Sequence, residues 1–402
     1  NILNGQVDYT TQIQTIFNSN CTSCHVDGGS YFGGLDLSTY ANVMTGGDSG
    51  AVITPFDHAN SYLWQRVNNG EMPPGTNPDL SASQIDLIAL WIDEGALENP
   101  VFTGPVWHVA TTGSDSTGNG TETNPFATIQ TAIDSSSDGD TVLVAAGIYE
   151  GGIVISNKAI SLIGESREET KINQPISSPQ ISIIECEAGT TRVENFIIES
   201  GSSNNGGGIF SSESTIEVEN VDFSNNSSSN NGAAINSIES TVKVQNSTFS
   251  LNTCNSLGGA IFVDPLTTCE IYNSSFTNNG AWHGGAIATI GGGKLLVQGC
   301  SISNNNAAGY NPNPDFDYPT FGGGGGIYQE WSDSLEIYDT EIINNTAETG
   351  AGGGIAIYLS NDIIIDNIIL NNNSSSGPNY PSGGGGAAFY RADNVLFENS
   401  TI

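Results

Sequence analysis

The sequence predicts two domains: a small all-α unit, then an all-β solenoid of stacked parallel strands. Three observations predict this. Amphipathic helix patterns are concentrated in residues 1–98, composition shifts after Pro100 toward Gly, Asn and Ser with short β-branched runs, and one motif then recurs every 26 residues. The expected organisation is a helical domain over 1–98, a linker over 99–105, a cap with irregular first coils over 106–205, and regular repeats over 206–402 that stop in mid-coil.

In the helical domain, Ile13, Ile16 and Phe17 share one face of a helix that ends just before Cys21-Thr22-Ser23-Cys24-His25. A second helix follows Ser81, which forms a capping box with Gln84. Ile85, Ile88, Trp91 and Ile92 give it an apolar stripe, and Gly95 closes it. The two helices are expected to cross.

Cys-x-x-Cys-His is the pattern of covalent haem attachment. Two thiols one turn apart reach the two vinyl groups of one haem, and the adjoining imidazole lies under the iron. A zinc site would need a second ligand pair, and the neighbouring sequence has none. The sixth ligand should be His, Met or absent, and the chain has two methionines. Met72 lies in Gly70-Glu71-Met72-Pro73-Pro74-Gly75, where two prolines stiffen the backbone after the sulfur. Met44, in Tyr40-Ala41-Asn42-Val43-Met44, reads as a packing residue. His58 is the alternative ligand to Met72; its plainer reading is a surface residue at a helix start.

These motifs resemble those of class I c-type cytochromes over residues 1–98. The resemblance implies one covalently bound haem c, with Cys21 and Cys24 in thioether bonds and His25 and Met72 as axial ligands. A His/Met pair implies a comparatively high potential.

After the linker one helix remains, over Pro125–Ile133, with Phe126, Ile129 and Ile133 on one face. It should cover an open end of the solenoid. Asp140–Val144 is expected to be the first strand. The repeat then runs through Gly207-Gly208-Ile209, Ala233-Ala234-Ile235, Gly259-Ala260-Ile261 and Gly285-Ala286-Ile287. It continues with longer gaps at Gly326-Ile327, Gly354-Ile355 and Gly386-Ala387. Each unit later places an apolar residue before an asparagine: Phe223 with Asn226, Phe249 with Asn252, Phe276 with Asn279, Ile302 with Asn305, Ile342 with Asn345, Ile369 with Asn372. Ile216, Val218 and Phe223 alternate with polar neighbours, so a coil should hold three short strands with one face inward. Stacking coils about 4.8 Å apart puts Ile over Ile, Phe over Phe, and Asn over Asn in an amide ladder at a turn. Paired glycines permit positive φ or close backbone approach at another corner.

This region resembles the right-handed parallel β-helix proteins of the pectate-lyase-like class. Its Gly-Gly-Ala-Ile and Phe-x-x-Asn motifs resemble the chlamydial polymorphic outer-membrane-protein repeat. The resemblance implies a fold, since β-helices host lyases, hydrolases, adhesins and passive stalks alike.

Polysaccharide cleavage finds little support in the sequence. The cations of the solenoid, Lys158, Arg167, Lys171, Arg192, Lys243, Lys294 and Arg391, are expected to stand apart from acidic clusters. Glu219 and Asp222 face outward, but their neighbours in the following coils are Gln245, Thr248 and Ser275, so no row of carboxylates is expected. The insertion over 310–321 combines aromatics, prolines, Asp315 and Asp317. It is a candidate glycan- or partner-binding loop, or equally one that packs on the coil beneath it; two carboxylates are too few for a Ca²⁺ site. Cys269 and Cys300 are expected to face inward as free thiols, Cys186 is read likewise, and the state of Cys254 is open.

The formal charge of −35, from 43 acidic and 8 basic residues, argues against nucleic acid and anionic membranes. No apolar run is long enough for a transmembrane segment. The cytochrome resemblance implies export before haem attachment, hence a removed signal segment and a periplasmic, outer-surface or extracellular location of Gram-negative bacterial type. The interrupted last coil leads to the expectation that the natural protein continues. The functional expectation is single-electron transfer to a redox partner protein by a cytochrome mounted on a stalk, an electron carrier more than a catalyst, with self-assembly open. The alternatives are an adhesin or fibre subunit with accessory haem, and a polysaccharide-active β-helix with a redox module.

Overall fold

The computed structural model describes residues 7, 9–26, 33–74, 78–93, 95–96, 106–173, 178–186, 189–308, 323–348, 350–376 and 384–401. The 99–105 linker, the 310–321 insertion with Asp315 and Asp317, and Ile402 lie outside the described residues. The chain divides into two compact units, Asn1–Thr103 and Gly104–Ile402.

The first unit is helical. A π-helical turn, Tyr9–Ile13, leads into α1 (Gln14–Asn20), followed by α2 (Tyr40–Thr45), α3 (Tyr62–Asn68) and α4 (Ala82–Asp93). The capping box at the start of α4 is present: the Ser81 amide donates to Gln84 Oε1 at 2.9 Å, and the Gln84 amide to Ser81 Oγ at 3.3 Å. Ile88, Trp91 and Ile92 are buried in the same core as Ile13, Ile16 and Phe17, whereas Ile85 is half-buried. The main helix crossing is displaced from its expected place: α4 packs chiefly on α3 and on the Tyr9–Ile13 turn, where the Tyr9 and Trp91 rings lie 5.3 Å apart. Tyr9 carries an aromatic contact that the Ile-x-x-Ile-Phe pattern does not reveal.

The second unit is a parallel β-solenoid. Its first strand, β1 (Val106–Val109), precedes the one expected from sequence; β2 (Thr141–Val144) pairs with it in register. Four residues with a single inward position give no usable alternation, which is why Val106–Val109 escaped notice. α5 (Ile129–Ser135) starts with Thr128 as N-cap and packs on β1, on β2 and on the strand Ile153–Ser156. Lys158 Nζ donates to the carbonyls of Ile133 and Ser136 at 2.7 and 2.8 Å, neutralising the negative end of α5.

Among the described residues the coils build three sheets of eleven, nine and nine strands, and a fourth of seven two-residue strands such as Ser227–Ser228. Three strands per coil were expected, and the short fourth is an addition. The isoleucine column is continuous from Ile209 through Ile235, Ile261, Ile287 and Ile327 to Ile355. Phe223, Phe249 and Phe276 stack with centroids 4.9 and 4.6 Å apart. The amide ladder is present too: each Asn Oδ1 accepts the backbone N–H and the Nδ2–H of the preceding asparagine, at 2.9 to 3.1 Å from Asn226 to Asn345.

One register differs. Leu370, not Ile369, follows Ile342 in the apolar column, and Asn373, not Asn372, continues the ladder, with Asn345 Nδ2 donating to its Oδ1 at 3.0 Å. Leu370 is 2% exposed and Ile369 41%. A one-residue slip exchanges the two faces of a strand, and Ile369-Leu370 offers an apolar side chain to both. At the glycine corner the pair serves close approach: a Cβ on Gly207 would lie 2.5 Å from the Ser227 carbonyl oxygen. The positive φ, +63°, falls one residue earlier, at Gly206.

Cys186, Cys254, Cys269 and Cys300 are buried free thiols. Burial pushes Cys254 and Cys269 up to about 12 and Cys300 up to about 11. Among the described residues no helix is long and apolar enough to cross a membrane.

Candidate haem site

The Cys21–His25 run continues α1 as a turn. The Cys21 amide donates to the Phe17 carbonyl at 2.8 Å, and the His25 amide to the Cys21 carbonyl at 2.9 Å, which brings both thiols and the imidazole to one side. The segment Leu35–Leu37 then fixes the histidine twice. The Leu37 amide donates to the His25 carbonyl at 2.9 Å, and His25 Nδ1 lies 3.2 Å from the Leu35 carbonyl. A carbonyl only accepts, so this bond assigns the proton to Nδ1 and leaves Nε2 as the basic nitrogen. Burial, then the nearby Cys24, pushes the Cys21 thiol up to about 11, so it is protonated at neutral pH and a weak nucleophile until activated.

The Met72 loop is positioned by the end of α3. The Glu71 and Met72 amides both donate to the Arg66 carbonyl, at 2.9 and 3.1 Å. Arg66 Nη1 also meets Glu71 Oε2 at 2.6 Å. Gly70, at φ +66°, makes the reversal, and Pro73 is buried just past the sulfur.

These two segments face a single cavity of about 540 Å³. Cys21, Cys24 and His25 line one part of it and Met72 and Pro73 another, while Phe17, Leu35, Val52, Leu63 and Val67 supply apolar walls. Met44 and His58 do not line it. Met44 is half-buried against the helical core. His58 is held by Asp93, Nδ1 to Oδ2 at 2.7 Å, with its ring against Trp64.

The donor set fits haem c: two thiols one turn apart, an imidazole with its second nitrogen already hydrogen-bonded, a soft thioether, and apolar walls around them. Cys21 and Cys24 would hold the macrocycle, and His25 and Met72 would flank the iron.

The acidic candidates of the solenoid lie in a different setting from the expected one. Arg192 pairs with Glu194 at 3.1 Å and with Glu219, Arg167 pairs with Asp222, and Lys171 meets Glu199 at 2.9 Å. Cations therefore do sit among carboxylates here, and Glu194 and Glu219 are cross-strand neighbours, a row of two. The sequence reading missed this because Arg192 and Glu194 belong to the irregular coils before residue 206, whose register the repeat does not define. Each of these acids is held by a basic partner, an arrangement of ion pairs rather than an open carboxylate pair across a groove. Among the described residues no group of three or more His, Cys, Asp or Glu side chains could hold a metal ion.

Residues 21–75 match the family model described as Planctomycete cytochrome C, and residues 252–402 match that of the right-handed β-helix region. No curated protein sequence matches the chain. Among solved structures, the pectin methylesterase from Aspergillus niger in deglycosylated form is similar at 12% identity, covering 74% of this chain and 89% of its own, with a TM-score of 0.32. A PL6-family alginate lyase is similar at 14% identity, covering 79% of this chain and 45% of its own, with a TM-score of 0.38. The A-module of a mannuronan C-5 epimerase from Azotobacter vinelandii is similar at 13% identity, covering 68% and 94%, with a TM-score of 0.31.

Proposed function

We propose that this chain is an exported electron carrier that binds one haem c through Cys21 and Cys24, with His25 and Met72 as axial ligands. The observation that carries the reading is the single cavity shared by the Cys21–His25 turn and the Met72 loop, segments nearly fifty residues apart in sequence. When bound, the group supplies a one-electron iron couple. The Leu35 carbonyl holds the His25 ring and raises its basicity, and the Met72 thioether favours the reduced state and a comparatively high potential. The apolar walls would limit water around the group.

The β-helix sets the position of this carrier, by display from a surface or by binding one. The formal charge of −35 favours a basic redox partner and steers its approach. Export follows from the covalent attachment that the cytochrome resemblance implies.

The test is production of the full chain with haem-attachment machinery. Haem should stay with the polypeptide after denaturation; its complete release would overturn the reading. Met72→Ala should lose the low-spin six-coordinate spectrum, while Met44→Ala and His58→Ala keep it. An unchanged Met72→Ala spectrum would remove Met72 from the ligand set.

A further inference from the structure

One outward row of the eleven-stranded sheet alternates amides and aromatic rings. Gln245, Tyr272, Gln298 and Tyr338 end the successive strands Thr241–Gln245, Thr268–Tyr272, Lys294–Gln298 and Ser334–Tyr338, and each pairs directly with the next. Two residues back along the same strands, on the same face, stand Lys243, Glu270, Leu296 and Glu336. The two rows are tied together in the aromatic strands. The Tyr272 hydroxyl donates to Glu270 Oε2 and the Tyr338 hydroxyl to Glu336 Oε2, each at 3.0 Å. The same tyrosine–carboxylate unit therefore occurs twice, two coils or roughly 9.6 Å apart, with Leu296 and Gln298 between. Both tyrosines are half-exposed and Gln298 is exposed, so the row is open to solvent. Glu194, Glu199, Glu219 and Asp222 are each held by an arginine or lysine, whereas among the described residues Glu270 and Glu336 have no basic partner.

We propose that this face binds a neutral, extended β-linked polysaccharide lying along the solenoid axis, across the coils. The proposal gives a ligand to the positional role assigned above to the β-helix and does not depend on the haem reading. A pyranose ring has an apolar C–H face and a rim of hydroxyls. The face is met by an aromatic ring, and the rim by amides and carboxylates. In an extended β-linked hexose chain each residue advances by nearly one strand spacing, about 4.8 Å, and turns over relative to the last, so every second ring presents the same side. The tyrosines recur every second coil, and the glutamines fall between them. Glu270 and Glu336 each have acceptor capacity left for sugar hydroxyls beyond the tyrosine bond. Charge then selects the polymer. The face carries Glu270, Glu336, Asp366 and Glu398 against Lys243 and Lys294, which repels a chain of uronic acids and leaves a neutral one unopposed.

The experiment is native affinity electrophoresis of the full chain through gels containing hydroxyethyl cellulose, glucomannan, polygalacturonate or alginate. The two neutral polymers should retard the parent and the two acidic ones should not. Tyr272→Ala and Tyr338→Ala should each weaken retention about threefold to tenfold, and the double variant should lose it. Tyr272→Phe/Tyr338→Phe keeps both rings and should keep most of the binding. Glu270→Gln/Glu336→Gln should narrow the discrimination against polygalacturonate. A parent retarded by neither neutral polymer overturns the proposal, as does one retarded more by the acidic polymers. A double alanine variant that binds like the parent also overturns it. If that variant does not fold, hydroxyl-radical footprinting of the parent with glucomannan decides: Tyr272 and Tyr338 should be protected, and unprotected rings overturn the proposal. Haem content should be the same in every variant, and a parent without covalent haem would sink the electron-carrier reading alone.

Discussion

The two units hold themselves together in different ways. The solenoid is filled by its own side chains, with Ile, Phe and Asn columns repeating the same contacts from coil to coil. The helical unit arranges its buried residues around a space that the polypeptide does not fill. Repetition spreads stability over many equivalent contacts, whereas a cofactor-centred core concentrates it in one group. The units should therefore fail separately and for different reasons.

The largest effect expected is in Cys21→Ala/Cys24→Ala. Covalent haem would occupy the cavity of about 540 Å³ that residues of the helical core line, so its loss should cost this unit more than any single side-chain change. Without covalent haem the helical signal in far-ultraviolet circular dichroism should be lost while the β signal remains. A variant that retains the helical transition at its parental temperature would show that the unit is self-sufficient and would break the contrast.

Phe249→Ala probes the other side. It removes the middle ring of a stack whose planes lie within 6° of parallel, all three rings buried. The cost should be about 3–5 kcal/mol in the β-solenoid transition, with the haem spectrum unchanged. Chemical denaturation followed at both signals checks it. Equal losses in the two units would mean that they are coupled.

What the sequence disclosed follows the same division. The regular coils were legible because the period repeats, and the residues of the cavity because Cys21–His25 and Met72-Pro73-Pro74 are short and chemically specific. Features that depend on register between unlike coils were not. The slip from Ile369 to Leu370, the strand Val106–Val109, and the pairing of Arg192 with Glu194 and Glu219 are of this kind. The hydroxyl corners were also hidden: Ser247 Oγ accepts the Val221 amide at 3.1 Å and donates to the Gln245 carbonyl at 2.8 Å, a role that a lone serine in the sequence does not announce.

A smaller effect depends on pH and belongs to the solenoid alone. His283 is stacked on Tyr328 with centroids 5.0 Å apart, its Nδ1 is buried without a hydrogen-bond partner, and burial lowers its pKa to about 4. In the unfolded chain the imidazole titrates near 6.5. Between these values the unfolded state binds more protons, so stability falls as pH drops from about 6.5 toward 4 and is flat with respect to this group above 7. His283→Phe should lessen the fall in the solenoid melting temperature between pH 7 and pH 4.5. An unchanged fall would assign the acid sensitivity to other groups.

The smallest expected effect has the opposite sign. Gln329 points into the solenoid between Thr289 and Ile357 of the adjoining coils, is fully buried, and has neither amide atom in a hydrogen bond. A buried amide without partners loses its hydration and gains nothing for it, so replacing it with an apolar side chain of similar volume removes a penalty instead of a contact. Gln329→Leu should stabilise the solenoid transition by about 1–2 kcal/mol, seen as a higher denaturation midpoint at an unchanged slope. The same column already accepts Val263 and Ile357 in other coils, which makes the leucine compatible with this one. A loss of stability would mean that the amide has a partner inside the solenoid, such as a buried water, and that this interior is not uniformly dry. In the helical unit no comparable gain is expected from filling the cavity wall, since bulk added there would compete with the proposed haem.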